Sequence, residues 1–132
     1  VKAIASYGAN LGLAFQMADD LIDYTSDTAV LGKKAGADLR EGKLTLPVIA
    51  ALAAAPDADR QRMQEIILNP EFSIDDFETL KTALNHHGGL VYTRQCAEEH
   101  VAKAKAALKV FAPSQTVDIL RDIADYTLSR KA

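Results

Sequence analysis

Tryptophan is absent from the sequence, cysteine occurs once, and aromatic residues make up only 6% of it. A lone Cys96 excludes an intramolecular disulfide framework and fits a reducing compartment, so the expected location is the cytoplasm. Cys, His and acidic residues do not recur at zinc-ligand spacings. Neither sign of charge prevails: 15 basic residues face 18 acidic ones, a net of −3, which gives no electrostatic footprint for nucleic acid. Asp, Lys or Pro interrupts every apolar stretch well before the ~18 residues a membrane-spanning helix needs, so no transmembrane segment is expected. Strand-length runs of β-branched residues are scarce as well.

What is abundant is Ala and Leu, recurring with helical period in a chain 48% apolar. At 132 residues the chain is long enough to bury a core, and the expectation is a single all-α domain over 1–132, a helical bundle. The pattern predicts a helix over residues 1–26 and a loop from Asp27 to Leu44 holding Gly32, Gly36 and Gly42. A second helix follows over Thr45–Ala54, with Thr45 as N-cap and Pro47 in the first turn, where a missing N–H does no harm. A third spans Ala58–Leu68, stopped by Asn69-Pro70 because the residue before proline avoids the α region. Ser73 and Asp76 form a capping-box pattern opening a fourth helix to His86, which Gly88-Gly89 ends. Leu90–Phe111 is a long fifth helix, and Gln115–Arg130 a final amphipathic one after Pro113-Ser114. The first segment opens in mid-pattern with no capping residue before it, so the chain is expected to be a piece of a longer one.

The chemistry concentrates in Phe15-Gln16-Met17-Ala18-Asp19-Asp20-Leu21-Ile22-Asp23. At 100° per residue, Gln16, Asp19, Asp20 and Asp23 fall within an arc of about 100°, with Gly12 one turn earlier. The rest of the helix is apolar, which predicts burial. Carboxylates crowded on a buried helix do not stay ionised without positive charge, and no Lys or Arg lies within one turn. A hard divalent cation supplies that charge: Mg²⁺ takes oxygen ligands and is commonly held by one or two carboxylates together with substrate phosphates. The following loop offers Lys33, Lys34, Arg40 and Lys43 among glycines, donors suited to wrapping an anion. The two together suggest a metal-bridged diphosphate. Asp is frequent enough here that the D-D-x-x-D spacing alone is weak, and a solvated acidic face is the other reading.

The string Gly12-x-x-Phe15-Gln16-x-x-Asp19-Asp20-x-x-Asp23, then Leu31-Gly32-Lys33-x-x-Gly36-x-Asp38-x-x-Glu41-Gly42-Lys43-x-Thr45-Leu46-Pro47, resembles the second aspartate-rich region of the trans-isoprenyl diphosphate synthases. Gly88-Gly89 with Tyr92 and Ala97, and Ala124-Asp125-Tyr126…Arg130, extend the likeness over nearly the whole chain. The form of the Gly-Lys and Thr-Leu-Pro segment is most similar to bacterial octaprenyl-type members.

The resemblance implies the C-terminal part of an isoprenoid-synthase-type fold. It also implies an enzyme that condenses an allylic diphosphate with isopentenyl diphosphate head-to-tail, uses Mg²⁺ and works as a homodimer in its full-length form. It makes Asp19 a direct Mg²⁺ ligand and gives Asp20 and Asp23 roles through water or in support of it. Asp38 becomes a more distant water-mediated partner. Lys33 is implied to contact the allylic diphosphate and Lys43 to support the same cluster, Gln16 to lie near the reacting centre, and Phe15 to wall the isopentenyl site. Arg130 and Lys131 are similar to a basic tail that closes over the site. The family's first aspartate-rich motif is not in this sequence, so the chain alone is expected to be inactive, with an acidic wall facing solvent. The alternative is a non-catalytic helical regulatory or interaction subunit of the same fold. The remaining features read as structural: His86-His87 as C-terminal capping, Cys96 and His100 as packing, Glu98-Glu99 and nearby lysines as a solvated helix face.

Overall fold

The computed structural model describes residues 1–25 and 37–130, and of Ala37 and Asp38 the backbone alone. Among the described residues every regular element is helical. Helix α1 (Lys2–Thr25) is the long Ala- and Leu-rich segment. A single turn, α2 (Ala37–Arg40), lies where the sequence reads as loop; one turn is too short to show a period, and buried Leu39 anchors it in a core. Helix α3 (Leu46–Ala54) starts after Thr45 and carries Pro47 within its first turn. Thr45 has the extended backbone of an N-cap, yet its side chain makes no capping bond.

Helix α4 (Asp57–Ile67) places Asp57 and Asp59 in its first turn, where the helix dipole favours acids. Helix α5 (Ile74–His86) opens on a complete capping box: Ser73 Oγ accepts from Asp76 N at 3.0 Å and Asp76 Oδ2 accepts from Ser73 N at 3.2 Å. The two glycines after it divide their work. Gly88 takes φ +76° and ends the turn, whereas Gly89 is the first residue of α6 (Gly89–Ala107). A Cβ at Gly89 would collide with the Pro47 carbonyl oxygen, so the close approach of α6 to the start of α3 requires glycine there. The fifth predicted helix does not continue to Phe111. It tightens into a 3₁₀ turn over Leu108–Val110, with Phe111 N donating to Leu108 O at 3.1 Å, ahead of Pro113. Ser114 then caps α7 (Gln115–Ser129), its Oγ accepting from Val117 N at 3.1 Å.

The chain forms two compact units. One joins residues 1–19 to 94–132; the other runs from 20 to 93. In the first, Tyr7, Ala14, Val101, Ala104, Leu108, Val117 and Ala124 make the core. Alanines at 14, 104 and 124 are fully buried, and small side chains let helices approach closely there. Tyr7 Oη donates to Leu120 O at 2.7 Å, and the Asn10 Oδ1 amide oxygen accepts from His100 Nδ1 at 2.9 Å, which sets that ring's tautomer. In the second unit the Phe77 ring stacks on both Tyr24 and Phe72, with centroids 5.7 and 6.0 Å away respectively. Val48, Ala51, Met63, Leu80 and Leu84 fill in around them. Burial of each such large side chain stabilises by roughly 1.5–3 kcal/mol.

Candidate functional site

The predicted residues fall in both units. In the first, α1 presents Phe15 and Asp19 one turn apart, and the residue after α7, Arg130, meets both. Its guanidinium carbon lies 3.9 Å from the centre of the Phe15 ring. Nη2 donates to Phe15 O at 3.0 Å and stands 3.6 Å from Asp19 Oδ1. The Arg130 side chain is only 9% exposed, whereas that of Asp19 is 53% exposed. Arg130 Nε is buried with no acceptor among the described residues. Next to this cluster lies a groove of about 360 Å³, lined by Gly8, Gly12, Phe15, Ile123 and Tyr126. A Cβ at Gly12 would meet nothing within 4 Å, so glycine leaves that wall open. Gln16 is exposed on the same helix.

In the second unit the acid string continues with Asp20 and Asp23. Asp20 is buried, with 6% exposure, and Asp23 is half-buried. The acidic wall expected to face solvent is therefore open at Asp19 and closed at Asp20: a helical wheel places side chains by angle and does not register what packs over each. Lys43 is exposed and follows Gly42, whose φ of +78° turns the chain after α2. Arg40, read from sequence as part of the anion-binding loop, instead stacks over the Phe72 ring at 4.2 Å. Lys33, Lys34, Gly32, Gly36, Lys131 and the side chain of Asp38 lie outside the described residues.

The donor set fits Mg²⁺ in one particular way. Among the described residues no three His, Cys, Asp or Glu side chains converge as a metal cage. A half-exposed carboxylate at Asp19 is the kind of oxygen donor that Mg²⁺ takes when substrate phosphates and water complete its shell. The arrangement suits a cation shared with an anionic substrate, not one enclosed by protein.

Outside this region, His86-His87 read from the sequence as C-terminal capping. His87 Nε2 lies 3.1 Å from Asp59 Oδ2 and its ring meets His86 edge-on at 4.9 Å, tying the end of α5 to the start of α4. The stack of Arg130 on Phe15 is the contact that sequence reasoning missed, since 115 residues separate the two and no local pattern links them.

The described elements are all helical, and the solved structures that share their arrangement are isoprenoid synthases, so the class is an all-α, isoprenoid-synthase-type fold. Comparison with known proteins narrows this: a model of the polyprenyl synthetase family matches residues 1–84, and the chain belongs to that family. It is 38% identical over 129 residues to octaprenyl diphosphate synthase of Escherichia coli, covering 98% of this chain and 40% of that protein. It is 37% identical over 136 residues to a short chain isoprenyl diphosphate synthase of Methanothermobacter thermautotrophicus, again over 40% of that protein. Among solved structures, a polyprenyl synthase from Caulobacter crescentus complexed with calcium and isoprenyl diphosphate superposes with a TM-score of 0.88 at 40% identity. That match covers 99% of this chain and 40% of the other. The chain thus spans about two-fifths of the length of these relatives.

Proposed function

We propose that this chain is the C-terminal portion of a Mg²⁺-dependent trans-prenyltransferase, one that condenses an allylic diphosphate with isopentenyl diphosphate head-to-tail. The observation that carries the reading is Asp19, the first acid of the D-D-x-x-D string, half-exposed and flanked by Phe15 and Arg130. Bound Mg²⁺ supplies charge neutralisation and Lewis acidity at the departing diphosphate oxygen. Asp19 offers its carboxylate as a direct ligand, with Asp20, Asp23 and Asp38 in support. Lys33 pairs with the allylic diphosphate, with Lys43 supporting the same cluster, and so favours the departure of diphosphate with the bonding electron pair, which leaves an allylic cation. Phe15 walls the isopentenyl site, holding the alkene toward that cation and excluding water, and Gln16 orients groups near the reacting centre.

The octaprenyl-type assignment rests on the form of the Gly-Lys and Thr-Leu-Pro segment, while the relatives named above range from short chain to octaprenyl. A cytoplasmic homodimer is the form proposed for the whole enzyme, and the 132-residue chain alone is proposed to be inactive. Calorimetry with Mg²⁺ and inorganic diphosphate tests the reading. Binding is expected, and Asp19→Ala should weaken it by ~10-fold or more. Binding that is absent here and in the longer parent favours the regulatory or interaction subunit. Chain elongation by these 132 residues would refute the claim of inactivity.

A further inference from the structure

We propose that Arg130 is the counter-ion of Asp19 in the cation-free chain and opposes binding of a divalent cation there until an anion arrives with it. This rests on the assignment of Asp19 as a metal ligand, and it goes beyond it by giving Arg130 a role before substrate is bound. Three observations carry it. The guanidinium is fixed by contacts other than the acid: the Phe15 face at 3.9 Å and the Phe15 carbonyl at 3.0 Å. It therefore stays beside Asp19 without being consumed by it, at 3.6 Å, longer than a charge-assisted hydrogen bond of about 2.7–2.9 Å. The carboxylate remains half-exposed, so a cation has access to its outer side but meets the field of a fixed positive charge. Finally, Nε is buried without an acceptor among the described residues, so the contacts the guanidinium makes leave part of its donor capacity unmet and its charge uncompensated until an anion comes near.

The test is Mn²⁺ binding to the 132-residue chain, followed by electron paramagnetic resonance with no anion present and then with inorganic diphosphate. Arg130→Gln should tighten Mn²⁺ alone by about two- to fivefold, the range expected for releasing a carboxylate from one partly exposed ion pair. Arg130→Lys, which retains the charge, should stay nearer the wild type. The gain should vanish in Asp19→Asn/Arg130→Gln. A merely structural role predicts the opposite sign, because loosening α1 against the residue after α7 would weaken a site at Asp19. Should Arg130→Gln not fold, as judged by its helical circular dichroism, Phe15→Leu removes the platform and is expected to shift Mn²⁺ in the same direction. Unchanged or weaker Mn²⁺ binding in the folded variant overturns the proposal. If Asp19→Asn abolishes Mn²⁺ binding with diphosphate while Arg130→Gln changes nothing, this inference alone fails. If Asp19→Asn has no effect under either condition, the metal-ligand assignment fails with it.

Discussion

Gly89 and Thr45 show how much one atom decides. A methyl at Gly89 meets the Pro47 carbonyl oxygen and touches Ala51 Cβ at 3.0 Å, both backbone-anchored, so neither moves aside cheaply. Gly89→Ala is expected to cost ~1–3 kcal/mol in urea unfolding through overpacking. Gly88→Ala should cost ~1–2 kcal/mol for a different reason, since its surroundings are open and only the left-handed backbone opposes a side chain. A helical wheel and a turn table both read Gly88-Gly89 as one stop signal; the separate duty of Gly89 depends on a helix start 42 positions earlier and is invisible locally. At Thr45 the backbone caps α3 while Oγ1 is buried without a partner among the described residues, at 5% exposure. Thr45→Val should therefore leave stability unchanged or raise it by up to ~1 kcal/mol, because a buried unsatisfied hydroxyl is replaced by a methyl group. A loss of stability on that substitution would show that the hydroxyl is engaged.

Helix boundaries were legible where the signal is local. Ser73 and Asp76 satisfy each other's backbone donors as their spacing predicts, and Ser73→Ala is expected to lower stability by ~1 kcal/mol in thermal or urea unfolding. The α3–α4 corner depends on a residue the sequence did not single out. Arg60 donates from Nε to Leu52 O at 3.0 Å and from Nη2 to Ala55 O at 2.8 Å, tying down carbonyls near the end of α3. Helix α1 is joined to α7 by the Tyr7 hydroxyl, which donates to Leu120 O, and burial pushes the phenol's pKa above the ordinary value. The unfolded chain thus ionises Tyr7 first as pH rises. The contribution is complete below about pH 10 and is lost as pH climbs through the raised folded value. Comparing wild type with Tyr7→Phe in urea between pH 8 and 11 should isolate that alkaline decline; parallel curves would refute it.

At the scale of the molecule, the acid string and the family motifs were readable because they lie within one helix and one adjoining segment. The burial of Asp20 and the Phe15–Arg130 stack were not, since each depends on what tertiary structure brings over α1. Nor does any sequence signal mark the division into two units, which falls inside α1 and inside α6, where helical period continues unbroken. Deleting residues 112–132 removes Val117, Ala124 and the acceptor of Tyr7 from the first unit and no core residue from the second. Hydrogen exchange on that truncation should show lost protection in residues 2–19 and 94–107 and retained protection in α4 and α5; protection retained throughout would contradict the division.

The first unit is discontinuous in sequence and the second is not. Residues 20–93 close over one continuous stretch, whereas Tyr7 has to wait for Leu120, 113 positions later in synthesis. Until Ser114 to Arg130 leave the ribosome, Tyr7 and Ala14 have no Val117 or Ala124 to pack against. Through that interval Tyr7 and Ala14 lack part of their core, and this is the stage at which residues 1–19 are most in need of a chaperone.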